Sequence, residues 1–396
     1  MLDALKKEVC ASVDRLGSTL VEVSHEIHAH PELAFRELHA ARLLADTGRA
    51  QGLDVHQNVY GLETALEARF GKAGPTVALL SEYDALPGIG HACGHNIIAT
   101  TALGAALALA ELGARLPGAV RWLGTPAEEG GGGKEIMARA GAFEGVDAAL
   151  MIHPAGVNLV TMPCLAISDV EVVYHGVASH ASAMPERGVN ALDALVIAYQ
   201  AIGALRQHIR STERLHGIIS DGGQAPNIVP ERAAGRFYVR AANAGELSEL
   251  KKRVTGCFRA GAEATGAKLE LHWGEVDYLD LDTSWPLAQR FQRNAESLGR
   301  AFFPYDKLPA GMQGSTDMGN VSHRVPSIHP MLASAPPHVS IHNAEFARWA
   351  ASELGDQSVL DGAKALAMTA LDFLCDSELR SEVGRAFAAS RAARGL

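Results

Sequence analysis

Thiol, imidazole and carboxylate side chains are concentrated in three short segments of the sequence, each following a predicted strand. These side chains belong to Cys93, His95, Glu128, Glu129 and His153. In open α/β sheets, ligand-binding groups gather at the carboxyl ends of the strands, so we expect these side chains at one rim of a sheet. Together they form the ligand set of a borderline metal such as Zn²⁺. The pattern therefore predicts a metal centre, whereas each segment alone would also fit an ordinary loop.

The adjacent acids Glu128 and Glu129 indicate two different roles. Two neighbouring side chains at a strand end can diverge, so that one reaches a metal and the other acts as a general base near a substrate carbonyl. The alternative is a solvated acidic turn. The glycines at 130–133 favour the first interpretation, because a backbone without Cβ atoms permits close approach of a ligand or metal.

Two other classes of zinc site do not match the sequence. A zinc nucleobase deaminase combines an H-x-E segment with a P-C-x-x-C segment, and this combination is absent. A structural zinc site needs several thiols, whereas the five cysteines here are scattered and include no C-x-x-C pair. The same cysteine pattern argues against a disulfide framework and predicts a cytoplasmic location.

The regular elements around these segments predict an α/β sheet. Apolar residues recur near the helical period through residues 2–50. Apolar runs of strand length then alternate with helical segments, which is the pattern of a sheet flanked by helices. The predicted strands are 64–70, 76–80, 119–123 and 148–152, and the predicted helices between them are 97–112 and 134–141.

A second domain is predicted in the middle of the chain. Between residues 167 and 282, strands and two helices suggest the order βαββαβ, which is typical of a ferredoxin-like α+β domain. After residue 282 long helices return, together with an apolar strand at 325–331. We therefore expect a discontinuous core, 1–166 and 283–396, that carries an inserted domain at 167–282.

Length, charge and composition exclude several function classes. The chain has 396 residues, with 35 Lys and Arg against 45 Asp and Glu, which gives a formal net charge of −10. Its 47% hydrophobic content indicates a folded, soluble protein rather than a disordered one. Nucleic-acid-binding proteins normally carry a basic surplus, so no nucleic-acid partner is expected. No apolar run is long enough to span a bilayer and no signal peptide is expected, so we predict no membrane partner.

Three segments give the sequence its resemblance to a known family. They are His28-Ala-His-Pro-Glu-Leu33, the H-A-C-G-H segment at 91–95 and His342-Asn-Ala-Glu-Phe346. These segments resemble the M20 metallopeptidase family, in its branch of aminoacylases, carboxypeptidases and amidohydrolases, over nearly the whole chain. The resemblance implies an exopeptidase-like α/β catalytic domain with a mixed sheet and two divalent metal ions, either zinc, manganese or cobalt. It also implies that the inserted domain is a lid that forms a dimer interface.

The resemblance further implies roles for residues of the catalytic domain. Cys93 would bridge the two metals and Glu128 would be the general base. Asp84, in Y-D-A-L-P, would orient a metal ligand. Glu82 stands where other M20 branches carry a metal-binding histidine. The remaining ligands would be His95, Glu129, His153 and His342.

Three residues of the inserted domain match family positions in the same way. His180 matches a lid residue that reaches the oxyanion in the site of the neighbouring subunit. Asn227 and Arg240 match positions that contact substrate, and a guanidinium is suited to bind a carboxylate. The alternative for Arg240 is a surface charge at a strand edge. Asp317 and His91 either line the pocket or are polar loop residues hydrogen-bonded to backbone.

The residues and the resemblance together support three functional hypotheses. The first is metal-dependent hydrolysis of the amide bond in an N-acyl amino acid, a dipeptide or a related small amide, by a homodimer or higher homo-oligomer. The second is an aminohydrolase that releases ammonia from an aromatic or amidine-like substrate at the same centre. The third is a metal-free binding relative, which would lack ligand residues, and none of the implied ligands is missing. The sequence therefore favours an enzyme and leaves the substrate and the metal open.

Overall fold

The computed structural model describes residues 2–309 and 313–394, and the chain divides into two units. Unit 1 comprises residues 1–163 and 281–396, and unit 2 comprises Cys164–Asp280. The boundaries predicted from the sequence lie at 166/167 and 282/283. Ala166 lies in unit 2 rather than in the predicted core. It is the first residue of the strand Ala166–His175, and it pairs with Ala241 of the same unit.

Strands and helices alternate through both units. In the described residues the strands are β1 (Val55–Val59), β2 (Leu62–Gly71), β3 (Thr76–Ser81), β4 (Ala119–Gly124), β5 (Ala148–Leu150), β6 (His153–Ala155), β7 (Ala166–His175), β8 (Arg214–Asp221), β9 (Arg232–Ala241), β10 (Lys268–Trp273), β11 (Ser327–Ile328) and β12 (Met331–Ala333). In the same residues the α-helices are α1 (Leu2–Ala29), α2 (Leu38–Ala50), α3 (His95–Ala110), α4 (Gly133–Arg139), α5 (Ala191–Leu205), α6 (Ala244–Thr265), α7 (Trp285–Ser297), α8 (Met318–Ser322), α9 (Ala344–Trp349), α10 (Glu353–Cys375) and α11 (Ser377–Arg394). None of these helices is long and apolar enough to cross a membrane.

The larger sheet of unit 1 has the strand order β1-β2-β4-β3-β5-β11. Strands β4, β3, β5 and β11 are parallel, whereas β1 and β2 are antiparallel to their neighbours, which confirms the predicted mixed sheet. The prediction of one strand over 148–152 is wrong, because β5 ends at Leu150 and His153 begins β6. Strand β6 pairs with β12 in a separate two-stranded sheet. The predicted strand over 325–331 likewise forms two strands, β11 and β12. Pro330 lies between them and has no N–H group with which to continue the pairing.

Helix α3 forms the centre of the helical layer that supports the candidate site. It packs against α1, α10 and β3, and nearly every residue along it is buried. A helix buried on all sides needs no polar face, which explains its uninterrupted run of Ala, Leu, Ile, Thr and Gly. The helix begins at His95, two residues before the predicted start, so this histidine lies in its first turn.

Unit 2 is a four-stranded antiparallel sheet in the order β10-β7-β9-β8, with α5 and α6 packed against it. The element order βαββαβ confirms the predicted ferredoxin-like domain. Its core is built around Tyr174, Phe237 and Phe258. Strand β8, which the sequence pattern did not locate, lies at an edge of the sheet and exposes most of its residues, so it lacks an alternating apolar pattern.

Candidate metal centre

Loops after three strands, the first turn of α3 and the segment before α9 bring the predicted metal ligands together. The Sγ atom of Cys93 is 3.3 Å from Nε2 of His153 and 3.3 Å from Nε2 of His342. Ligand atoms of Cys93, His95 and His153 all lie within 4.8 Å of one another, as do those of Cys93, Glu129 and His342. The structure therefore places all five of these residues in one cluster.

Asp84 fixes the orientation of two members of this cluster, His95 and Glu129. Its Oδ1 is 2.9 Å from Nδ1 of His95, and its Oδ2 accepts a hydrogen bond of 2.9 Å from the backbone N–H of Glu129. The Nε2 atom of His95 then faces carboxylate oxygens of Glu128 and Glu129 at 3.9 and 3.8 Å. A carboxylate that holds one imidazole nitrogen leaves the other available to a metal, so the position of Asp84 suits the orienting role implied for it.

The backbone at the cluster is locally strained. Ala127, directly before the acid pair, has φ +60°, and His342 has φ +65°. Non-glycine residues rarely adopt this region, and they persist there only where the surrounding structure holds them. Gly94 has φ +75°, and a Cβ atom at this position would lie 2.6 Å from Cγ of Pro154. A side chain at Gly94 would therefore push the segment of Cys93 away from the segment that follows β5.

The glycines at 130–133 serve the packing of the loop itself. A Cβ atom at Gly133 would lie 1.9 Å from the carbonyl oxygen of Pro126, and one at Gly131 would lie 2.3 Å from the ring of Phe35. Both contacts are shorter than any real Cβ atom permits. The sequence interpretation assigned this run to the approach of a ligand or metal, and the structure gives internal packing as the reason at these two positions.

Burial and neighbouring carboxylates shift the pKa values of the cluster. Burial, followed by repulsion from Glu82 and Glu129, raises the pKa of Glu128 well above its ordinary value. Burial, followed by the charge of Glu129, likewise raises the pKa of the Cys93 thiol. A carboxyl group of raised pKa is suited to exchanging protons during catalysis. A thiol of raised pKa becomes a ligand only when a cation stabilises the thiolate.

The donor set fits a divalent cation. Burial lowers the pKa of His153 to about 4, so its imidazole is neutral and can act as a ligand. Nε2 of His95 and Oε1 of Glu129 are buried and have no hydrogen-bond partner among the described residues. Such unsatisfied atoms destabilise a fold. A cation held between thiolate, imidazole and carboxylate ligands would satisfy them.

Comparison with known proteins assigns the chain to a family. Residues 78–372 match the model of peptidase family M20/M25/M40. The chain belongs to this family. The Xaa-Arg dipeptidase of Mus musculus is 41% identical to it, over 98% of this chain and 93% of the relative. One of the subunits of p-aminobenzoyl-glutamate hydrolase from Escherichia coli (strain K12) is 28% identical, over 91% of this chain and 90% of the relative.

A solved structure agrees with the fold. A dinuclear metal-binding peptidase of family M20 from Bacillus subtilis superposes with a TM-score of 0.69 at 20% identity, over 91% of this chain and 99% of that structure. This likeness shows the fold, whereas the family model and the 41% identical relative confirm the predicted family and enzyme class. The chain is an M20 hydrolase that acts on the amide bond of a small substrate.

A buried ion cluster that the sequence analysis missed lies beside the M20 centre. Nζ of Lys134 is 2.6 Å from Oδ1 of Asp317 and also contacts Oε1 of Glu82, and none of these three side chains is exposed. The backbone N–H of Lys134 donates a further hydrogen bond of 2.9 Å to Asp317. Oxygen atoms of Glu82, Glu128 and Asp317 lie within 4.8 Å of one another. The ammonium group therefore balances two carboxylates that face Glu128. Asp317 is hydrogen-bonded to backbone, as one of its two interpretations predicted, and it also forms a buried ion pair with Lys134.

A second residue missed by the sequence analysis is the buried His329. Its ring centroid is 5.3 Å from that of His153, and both of its ring nitrogens lack a hydrogen-bond partner among the described residues. Burial lowers its pKa well below the ordinary value, so the ring is neutral. It belongs to the tripeptide I-H-P at 328–330, which repeats the I-H-P at 152–154. This repeat after two adjacent strands is the signal that could have located it.

The predicted residues of unit 2 lie in two places within that unit. His180 and Asn227 lie on adjacent segments, because His180 forms an isolated bridge with Ile228. Nε of Arg240, on β9, donates a hydrogen bond of 3.3 Å to Nε2 of His216 on β8. The catalytic and substrate-binding roles of these three residues stay predictions.

The loop of the acid pair is supported by the buried carboxyl group of Glu37, which makes stability dependent on pH. Its Oε1 accepts hydrogen bonds from the backbone N–H groups of Phe35 and Ala127, and its Oε2 accepts one from Thr64. Burial raises its pKa from 4.5 to about 7. Between these values the folded state binds more protons than the unfolded state, so the stability that Glu37 contributes is lost as pH rises towards 7.

We therefore predict that Glu37→Gln flattens the pH dependence of stability. The free energy of unfolding of the unmodified enzyme is expected to fall relative to that of the variant between about pH 4.5 and 7.5, by at most roughly 3 kcal/mol. Urea unfolding of both proteins at several pH values measures this difference, and ionisation of the metal ligands affects both alike. A difference that stays constant across this range would refute the assignment.

Proposed function

We propose that this M20 enzyme hydrolyses dipeptides with a basic C-terminal residue at a centre of two divalent metal ions. The observation that carries the proposal is the cluster of five ligands, Cys93, His95, Glu129, His153 and His342, with two buried ligand atoms left unsatisfied. The description of the Bacillus subtilis peptidase as dinuclear supports two ions. The similarity to Xaa-Arg dipeptidase, 41% over nearly the full length, supports the substrate class.

The residues of unit 1 supply the proton chemistry. When bound, the two ions would polarise the substrate carbonyl and lower the pKa of a water molecule. Glu128 accepts the proton of the attacking water and returns it to the leaving amine, since its carboxylate lies beside the ligands and its pKa is raised. Asp84 holds His95 in the orientation that these steps require.

The residues of unit 2 bind the substrate and stabilise the oxyanion. His180 donates a hydrogen bond to the oxyanion that develops in the site of the partner subunit. Asn227 contacts the substrate, and Arg240 binds its carboxylate through the guanidinium group. Since the cysteines are scattered along the sequence and form no C-x-x-C pair, we further infer that the enzyme works in the reducing cytoplasm.

Metal analysis combined with a substrate screen tests this function. The purified enzyme is analysed for zinc, manganese and cobalt, and kcat/KM is measured for Xaa-Arg dipeptides, N-acetyl amino acids and p-aminobenzoyl-glutamate. We expect the Xaa-Arg dipeptides to be the best substrates. Faster cleavage of another amide would refute the substrate class but keep the chemistry. Ammonia release from an aromatic or amidine-like compound, without amide cleavage, would favour an aminohydrolase instead.

Replacing Cys93 with alanine is expected to lower the metal content below that of the parent enzyme. The change removes a thiolate that would bind both ions and whose Sγ lies 3.3 Å from Nε2 of His153 and of His342. Elemental analysis after gel filtration at fixed pH measures the loss. Cys10→Ala is the matched control, because this half-buried thiol lies on α1 and is expected to keep full metal content. Two full equivalents in Cys93→Ala would rule out the bridging role.

We also propose that the enzyme is a dimer formed through unit 2. The edge strand β8 exposes Ile218 and Ile219, and α5 exposes Val196 and Ile197. An exposed apolar strand edge is a template for pairing with another chain, so a second copy of this chain is the natural partner.

If His180 acts across this dimer, two inactive variants should complement each other. Mixing His180→Ala with Glu128→Gln is expected to restore part of the activity, because a mixed dimer contains one site with an intact Glu128 and a partner's intact His180. Activity is measured after subunit exchange has been verified by native mass spectrometry. Verified exchange without recovered activity would indicate that His180 acts in its own chain or has no catalytic role.

A further inference from the structure

A second group of metal-binding side chains lies on the surface of unit 1, where α1 ends and α2 begins. Glu26 lies near the end of α1, His30 directly follows that helix, and His39 lies in the first turn of α2. Oε1 of Glu26 is 3.2 Å from Nδ1 of His30 and 3.2 Å from Nε2 of His39. One ligand atom from each residue lies within 4.8 Å of the other two. None of the three belongs to the M20 centre.

The arrangement of these donors is that of a cation site. Two imidazoles and one carboxylate are ligands that borderline divalent metals prefer. The ring centroids of His30 and His39 are 4.8 Å apart, and both rings face the same oxygen of Glu26. Two protonated imidazoles at this separation would repel each other, whereas two neutral imidazoles can bind one cation together.

The backbone holds His39 in place for this role. Its backbone N–H donates to both carboxylate oxygens of Glu32, at 3.0 and 2.9 Å. Glu26 lies in the last turn of α1 and His30 directly follows the helix, where its Nδ1 also lies 3.0 Å from the backbone carbonyl oxygen of Glu26. We propose that Glu26, His30 and His39 bind one divalent cation, Zn²⁺ or a similar borderline metal, and so link α1 to α2.

The link would restrain a segment that supports the M20 centre. The connection between the two helices, residues 30–37, is hydrogen-bonded to both loops that carry catalytic residues. The backbone N–H of Ala85 donates to the carbonyl oxygen of Glu32 at 2.8 Å, next to Asp84. The backbone N–H of Ala127 donates to Glu37 at 2.9 Å, next to Glu128. A cation bound by Glu26, His30 and His39 therefore reduces the mobility of residues 30–37 and stabilises the loops that carry Asp84 and Glu128.

Zinc binding to the holoenzyme tests this site. The enzyme is gel-filtered with its tightly bound metals in place and then dialysed against Zn²⁺, and the additional equivalents are counted for the unmodified protein, Glu26→Gln and His39→Ala. We expect one additional equivalent in the unmodified protein, and an affinity at least about tenfold weaker in the variants, since even indirect partners of a metal change its affinity by about 10–100-fold. His25→Ala is the matched control, because His25 lies on the same helix and contacts Asp356 instead. This control is expected to keep the additional equivalent.

Amide hydrogen exchange of residues 30–37 tests the link between the helices. Zinc is expected to slow this exchange in the unmodified protein and in His25→Ala, and to leave it unchanged in His39→Ala. Equal zinc stoichiometry and affinity in the unmodified protein and both site variants would overturn the site. Zinc binding that depends on His39 but does not slow the exchange would overturn its linking role. Neither readout depends on catalytic activity, so the result is independent of the proposed function.

Discussion

Replacing Glu128 with glutamine is expected to lower kcat by about 10²- to 10⁴-fold, which is the usual contribution of a general base. The amide preserves the shape of the side chain but cannot accept the proton of the attacking water. Its neighbour Glu129 is oriented separately, through the hydrogen bond from its backbone N–H to Asp84, so the ligand set should survive the change. Kinetics with the best substrate, combined with elemental analysis, are expected to give low kcat at full metal content.

The variant Glu129→Gln provides the matched comparison for the acid pair. Oε1 of Glu129 lies 3.5 Å from Nε2 of His342 and 3.8 Å from Nε2 of His95, so it is assigned as a ligand. We expect this second variant to lose metal together with activity. The reverse pattern, with metal loss in Glu128→Gln and metal retention in Glu129→Gln, would exchange the two roles. A near-normal kcat in Glu128→Gln would exclude Glu128 as the general base.

The position of the candidate site could be predicted because it follows from local rules. Strands β3, β4 and β5 are buried, so each is an apolar run whose end is marked by polar residues such as Asp84, Glu128 and His153. Since these strands are parallel neighbours, their carboxyl ends meet at one rim. His342 has no such local signal. It follows β12 by nine residues in an irregular segment, and only the family resemblance located it.

Other features of the site depend on contacts between distant parts of the chain. The ion pair of Lys134 with Asp317 joins residues 183 positions apart, and a lysine after four glycines looks like a solvated loop residue. His329 has one weak signal in the sequence, since its I-H-P segment repeats the I-H-P segment at 152–154, but a single histidine after an apolar run does not identify its neighbours. The break between β5 and β6 arises from pairing with β11 and β12, which lie far along the chain. The buried ion pair and the pairing of β5 and β6 with distant strands appear only when the tertiary structure is known.

Replacing Lys134 with methionine is expected to lower the free energy of unfolding by about 3–5 kcal/mol, the usual effect of removing one partner from a buried ion pair. Methionine has a similar length and fills the space but carries no charge. The carboxylates of Glu82 and Asp317 would then be buried without their cation, next to the carboxyl group of Glu128. Urea denaturation of the holoenzyme at fixed metal concentration measures the loss.

Two further variants separate the loss of charge balance from the loss of packing. Lys364→Met removes a lysine that lies 2.6 Å from Asp14, whose side chain is 60% exposed, and should cost no more than about 1 kcal/mol. Adding Glu82→Gln to Lys134→Met removes one of the uncompensated charges, so the double variant should be more stable than Lys134→Met alone. If Lys134→Met were as stable as the parent, or if the second change brought no recovery, the ammonium group would not be what balances these carboxylates. Recovery in the double variant would instead identify charge compensation as the role of Lys134, and would explain why a lysine is buried beside a cluster of metal ligands.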